Sequence, residues 1–207
     1  LMNSLTKLSI LSLYIIAYPI LLEIDQVLCF WLGDNVPQYT SSFVVIVILI
    51  TFINNMNAAV SAVVHATGKM RKYQLWGSSI NLLSVPAAYY SLKLGYNPDS
   101  VFWISLVFTI ITQTTSLFIL RTIINFSIKK YAKMVLKPLI LVVSVSFLIP
   151  IIPYHFMNAG NMRLIVVFLT AITTSSISTY CIGLNKNERS LINLFLVKII
   201  PFKSIKK

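Results

Sequence analysis

The sequence predicts an all-α integral membrane protein, a six-helix transmembrane bundle, and three observations carry that prediction. Of the 207 residues, 57% are hydrophobic and only 11% charged, where a soluble domain would carry about a quarter of its residues as Asp, Glu, Lys or Arg. Six apolar stretches approach or reach the roughly 17 to 25 residues that a helix needs to cross ~30 Å of hydrocarbon. The net charge of +12 is gathered between those stretches. That is the layout of a membrane protein and not of a nucleic-acid binder.

The six predicted spans are 5–22, 42–64, 75–92, 101–120, 138–152 and 164–184. They are separated by turn and charge signals: Gly33-Asp34-Asn35, Thr67-Gly68-Lys69, Gly95-Tyr96-Asn97-Pro98-Asp99, the basic run from Lys129 to Lys137, and Asn158-Ala159-Gly160-Asn161. Hydrocarbon leaves backbone N–H and C=O groups no outside partner, so each span must be a helix or a strand of a closed barrel. Long apolar runs without strict alternation select helices. The fifth span is the shortest, and Pro150 and Pro153 crowd its outer end. The opening residue Leu1, with no initiator Met and no charged leader, reads as an internal start.

Alternate connections differ in charge. Lys7, Lys69, Arg71, Lys72, Arg121, Lys129, Lys130, Lys133, Lys137 and the basic residues after Asn185 fall on one side. Lys93 and Arg163 fall on the other with Glu23, Asp25, Asp34 and Asp99, and Glu188 alone joins the lysines. The positive-inside rule then puts both termini in the cytoplasm, as expected of a multi-pass membrane protein. The tail 185–207, with Leu191, Ile192, Leu194, Phe195, Ile199 and Ile200 among basic residues, reads as a basic amphipathic cytoplasmic segment on the anionic leaflet. The segment 27–32, with Trp31, suits the opposite interface.

Polar residues at membrane depth are the candidates for function, because an unpaired amide in hydrocarbon costs several kcal/mol. In the second span Thr51, Asn54, Asn57, Ser61 and His65 recur at steps of three and four. Gly77, Asn81, Ser84 and Ala88 do so in the third, and Thr109, Gln113 and Ser116 in the fourth. Three polar stripes suggest a bundle around a hydrated cavity. Interhelical packing is the competing reading, helped by close approach along Ala58, Ala62 and Ala66. The hydroxyls from Thr173 to Thr179 suit back-bonding to their own helix. The run Lys69, Arg71, Lys72 suits a phosphate headgroup, with anionic membrane lipid as the simplest occupant.

Enzyme signatures are missing from the sequence. Glu23 and Asp25, two residues apart, face different ways on a helix and make a poor acid–base pair. His65 and His155, like Cys29 and Cys181, are predicted on opposite sides of the membrane, and no metal spacing, phosphate loop or nucleophile elbow is present. No cofactor or metal is expected, and the chain is not read as an enzyme.

Several strings resemble the C-terminal half of bacterial polysaccharide biosynthesis flippases, the O-antigen and capsule exporters of the multidrug/oligosaccharidyl-lipid/polysaccharide (MATE-like) superfamily. They are Trp31-Leu32-Gly33-Asp34-Asn35-Val36-Pro37-Gln38-Tyr39, Ala66-Thr67-Gly68-Lys69 with Tyr73-Gln74, Asn81-Leu82-Leu83-Ser84-Val85-Pro86 leading to Leu94-Gly95-Tyr96-Asn97-Pro98, and the stretch from Tyr131 to Pro138. The resemblance covers roughly residues 5 to 150. It implies one lobe of a two-lobed transporter that flips undecaprenyl-pyrophosphate-linked oligosaccharide across the cytoplasmic membrane, with an N-terminal lobe as the missing partner. On that reading Asn54, Asn57, Ser61, Asn81 and Gln113 are candidate cavity contacts, and Lys69, Arg71 and Lys72 candidate headgroup contacts. A drug/cation antiporter lobe, a membrane enzyme acting on lipid-linked sugars and a non-catalytic scaffold subunit are the alternatives.

Overall fold

A computed structural model describes residues 2–33, 35–124 and 126–190, and all the regular elements among them are helical. Helix α1, Met2–Leu22, runs unbroken through Pro19. The short α2, Ile24–Leu32, follows at the acidic end and stops at Gly33, whose φ of 79° is open to glycine without strain. Its Phe30 and Trp31 are strongly exposed, as an interfacial segment requires. Helix α3, Thr40–Thr67, closes on Gly68 in the left-handed region, the glycine N–H donating to the His65 carbonyl. Helices α4, Met70–Lys93, and α5, Ser100–Ile124, form the next antiparallel pair.

The basic run 129–137, expected to be a connection, is helical instead. Helix α6, Ile128–Tyr131, passes through a π-helical turn, Ala132–Leu136, into α7, Lys137–Phe147, and a turn leads to α8, Ile151–Phe156. The wide turn has a local cause in Pro138, which lacks an N–H and would clash with the carbonyl four residues earlier. The Lys137 N–H reaches back five residues to Ala132, and the register shifts around the proline. Helix α9, Asn161–Ser178, ends in a second π turn, Thr179–Gly183. As the hydroxyl cluster suggested, Thr173, Thr174 and Ser175 bond back to carbonyls of their own helix.

Five helical runs are long and apolar enough to cross a membrane: Met2–Leu22, Thr40–Thr67, Ser100–Ile124, Ile128–Phe156 and Asn161–Gly183. The described residues are therefore all-helical in their regular structure, with the makeup of a multi-pass membrane protein. The predicted third span corresponds to α4, which has 24 residues but falls outside this group because even within residues 75–92 Gly77, Ser78, Ser79, Asn81, Ser84, Pro86, Tyr89 and Tyr90 dilute its apolar content. The predicted tail falls largely on residues 191–207, outside the described residues.

Helix α1 stands in the middle of the assembly. Helix α4 packs on α5, α5 on α3, α3 on α1 and α1 on α9, with α7 against α9. One core joins Leu11, Tyr14 and Tyr18 of α1 to Val142 and Ala171, and a second joins Val60 and Val64 of α3 to Tyr73 and Leu120. The Tyr14 hydroxyl meets the Ser146 hydroxyl at 2.6 Å, and Tyr18 donates to the Ser146 carbonyl at 3.3 Å. Both bonds satisfy polar groups without water. Ala58, Ala62 and Ala66 are exposed, so the expected close approach along them is not made. The bulkier Val60 and Val64 form the packed face of α3 instead.

Two ion pairs tie α1 to the C-terminal part of the described chain. Arg163 Nη2 lies 2.8 Å from Glu23 Oε2, and the guanidinium also covers the Tyr154 ring at 5.0 Å. At the other end Lys7, almost fully buried, pairs with Glu188. Positions 7 and 23 are separated by ~24 Å of helix rise, close to the hydrocarbon thickness, so each pair sits near one edge of the apolar layer. Burial pushes the Glu188 carboxyl up, but hydrogen bonds from Lys7, the Asn185 backbone and Ser4, with the Lys7 charge, outweigh that and hold it below the ordinary value.

Candidate functional site

The polar stripes of three helices meet where α4 and α5 pack beside α3. Asn57 and Ser61 of α3, Tyr73, Gln74, Gly77, Ser78 and Asn81 of α4, and Thr112 and Ser116 of α5 line a cavity of about 230 Å3. Asn57, Asn81 and Thr112 also line an adjoining cavity of about 170 Å3, with Ile53, Asn54, Thr109 and Gln113. The two make one polar groove. All five sequence-predicted cavity candidates, Asn54, Asn57, Ser61, Asn81 and Gln113, lie on its walls.

Each helix contributes by its 3.6-residue period. On α4, Tyr73, Gly77 and Asn81 follow at steps of four, and Gly77 faces the Thr112 methyl, 4.0 Å from where a Cβ would stand. Tyr73 donates to Asn57 Oδ1 at 3.1 Å, and Thr112 donates to Asn81 Oδ1 at 3.2 Å. These bonds fix two of the asparagine carbonyls. Gln113 differs. It is only 6% exposed, and neither its Oε1 nor its Nε2 has a hydrogen-bond partner. An amide in that condition costs about 1 to 3 kcal/mol unless something polar enters beside it, and a polar cavity of this size has room for water or for a ligand group.

Three contributors, Tyr73, Gln74 and Thr112, escaped the sequence reading for two simple reasons. Starting the third span at residue 75 cut off Tyr73 and Gln74, although the step of four through Gly77 and Asn81 pointed back to Tyr73. Thr112 was hidden beside Gln113, because the groove is wide enough to take two adjacent residues of α5. Conversely Ser84 bonds to the Asn81 carbonyl of its own helix, and neither it nor Ala88 lines the groove. His65 is exposed in the last turn of α3.

Lys69, Arg71 and Lys72 are not in this groove. They line a separate cavity of about 480 Å3 with Gly68, Trp76, Ile119, Thr122 and Ile123. Among the described residues the only ion pairs are Lys7–Glu188 and Arg163–Glu23, so no described carboxylate pairs with these three cations. No group of three His, Cys, Asp or Glu side chains able to hold a metal occurs among the described residues. Asp25 accepts a hydrogen bond from Ser41 at 2.6 Å. Cys29 and Cys181 are both exposed and not disulfide-bonded to each other.

No family model, curated protein or solved structure matches the chain.

Proposed function

We propose that this chain is the C-terminal lobe of a membrane transporter that moves a lipid-linked oligosaccharide, carried on undecaprenyl pyrophosphate, from the cytoplasmic to the outer leaflet for surface polysaccharide export. The observation that carries the reading is the groove of Asn54, Asn57, Asn81, Thr112 and Gln113 on one flank of an otherwise apolar bundle. Amide and hydroxyl groups are what a sugar needs, since each offers donors and acceptors without the charge that would hold a polar cargo too tightly to release. Helix α4 is the sixth crossing in this proposal; its polar face turns to the groove and its apolar flank to lipid. The end rich in Lys and Arg is the cytoplasmic one. A second lobe would close over the groove, because alternating access needs two bundles rocking about a site between them. An antiporter lobe is disfavoured: it would need a carboxylate in the spans, whereas Glu23 and Glu188 are engaged in ion pairs at their edges.

The test uses Asn54→Leu and Gln113→Leu in a full-length protein that contains both lobes, expressed in a flippase-deficient strain. Surface polysaccharide should fall while membrane-inserted protein stays level. Equal loss of protein and polysaccharide would return these residues to helix packing, and unchanged export would remove the groove from the transport path.

A further inference from the structure

A different part of the molecule, on the flank of the α4–α5 pair turned away from the polar groove, has the form of a lipid site. An apolar channel of about 490 Å3 runs there along Trp76, Ile80, Ile111, Thr115, Phe118 and Ile119. Trp76, Ile119 and Thr122 belong to this channel and also to the cavity lined by Lys69, Arg71 and Lys72. Phe118 and Thr122 belong to it and also to a third cavity, of about 750 Å3, lined by Arg121 and Lys129. Three spaces therefore converge on one turn of α5. Five cations, from α4 and the residue before it, from α5 and from α6, line the two adjoining cavities at this turn, and the apolar channel leads away from it.

The dimensions suit one lipid molecule. From Thr122 to Ile111 the channel follows α5 for ~16 Å, and from Trp76 to Ile80 it follows α4 for ~6 Å. Half of a ~30 Å hydrocarbon layer is ~15 Å. A headgroup at this turn would thus place its chain along one leaflet and no farther. The five cations have no carboxylate partner among the described residues, which leaves their charge for an outside anion. Lys133 and Lys137, exposed on the same side, line none of the three cavities.

We propose that the α4–α5 flank binds one anionic phospholipid of the lysine-rich leaflet, its phosphate held by Lys69, Arg71, Lys72, Arg121 and Lys129 and one acyl chain laid against Trp76 and Ile111. Charge complementarity selects the headgroup, and the channel selects a chain-bearing molecule over a free anion. The site stands apart from the oligosaccharide groove and does not depend on the transport reading.

Trp76 is a built-in reporter. The other tryptophans, Trp31 and Trp103, lie toward the acidic end and are replaced in a Trp31→Phe/Trp103→Phe background. This chain is reconstituted in phosphatidylcholine vesicles doped with brominated phosphatidylglycerol or brominated phosphatidylcholine, and quenching of Trp76 is followed. The brominated phosphatidylglycerol should quench at more than tenfold lower mole fraction. Lys72→Ala or Arg121→Ala should each reduce that preference about fivefold, the equivalent of ~1 kcal/mol per basic residue, while Lys133→Ala leaves it unchanged. Circular dichroism in the same vesicles confirms that each variant keeps its helix content. Equal quenching by both lipids overturns the proposal, and so does a Lys133→Ala effect as large as that of Lys72→Ala, which would mean diffuse surface attraction. Displacement by inorganic phosphate alone would leave only a cation cluster. Displacement by traces of a polyprenyl phosphate but not by unbrominated phosphatidylglycerol would give the channel to a different lipid.

Discussion

Replacing Arg163 by Met should destabilise the protein far more than replacing its partner Glu23 by Gln, and the asymmetry follows from burial. The Glu23 side chain is 1% exposed and that of Arg163 15%. Oε1 of Glu23 has no hydrogen-bond partner, so its carboxylate is compensated through the 2.8 Å contact of Oε2 with Arg163. At that distance and an effective dielectric near 20, the gross attraction is roughly 6 kcal/mol, and removing one member of such a buried pair costs about 3 to 5 kcal/mol because the other charge is stranded. Arg163→Met strands the buried carboxylate and should approach that figure. Glu23→Gln leaves a guanidinium on a side chain that is 15% exposed and rests on Tyr154, and should cost about 1 to 2 kcal/mol. The double replacement Glu23→Leu/Arg163→Leu should recover most of the loss, since apolar side chains in place of a buried pair are often near neutral. The assay is unfolding in mixed micelles, followed by circular dichroism, for the wild type and these three variants. Equal losses for the two single variants, or a double variant worse than Arg163→Met, would refute the reasoning.

Three further outcomes are expected. Gly183→Ala should lose about 1 to 3 kcal/mol of stability in the same assay, because the new Cβ would stand 2.9 Å from Leu11 Cδ1 and 3.2 Å from Val142 Cγ2 inside a packed core. Acidification should release the Lys7–Glu188 pair. A carboxyl held below its ordinary value contributes stability that is present above the unfolded value and is lost as pH falls through the folded one, so wild type should weaken below about pH 4.5 more than Glu188→Gln does, read as the difference between their unfolding midpoints across pH. Cysteines placed at Asn35 and Asn97 should react with an impermeant reagent from the outer face of the membrane while those at Lys69 and Lys133 stay protected; the reverse pattern would invert the proposed topology.

What the sequence determined by itself is what each segment owes to its own composition. Crossing hydrocarbon is a property of one helix, so length and apolar content sufficed to find the five long apolar runs. Local chemistry also hid in plain view: Gly33 and Gly68 close α2 and α3, and Pro138 explains the π turn that carries the basic run into the fifth helical run. Periodicity named the polar faces of α3 and α5, and with them Asn54, Asn57 and Gln113. Only the tertiary structure decided which faces meet. The partners of Lys7 and Glu23 lie 181 and 140 positions away, and nothing in either segment specifies the other. The alanine stripe of α3 had the size for close packing, yet the valines one face over took the contact, because burial follows the shape available on the neighbouring helix. The lipid-sized channel was illegible for the same reason: Trp76 and Ile119 are ordinary apolar residues until two helices set them side by side beneath five uncompensated cations.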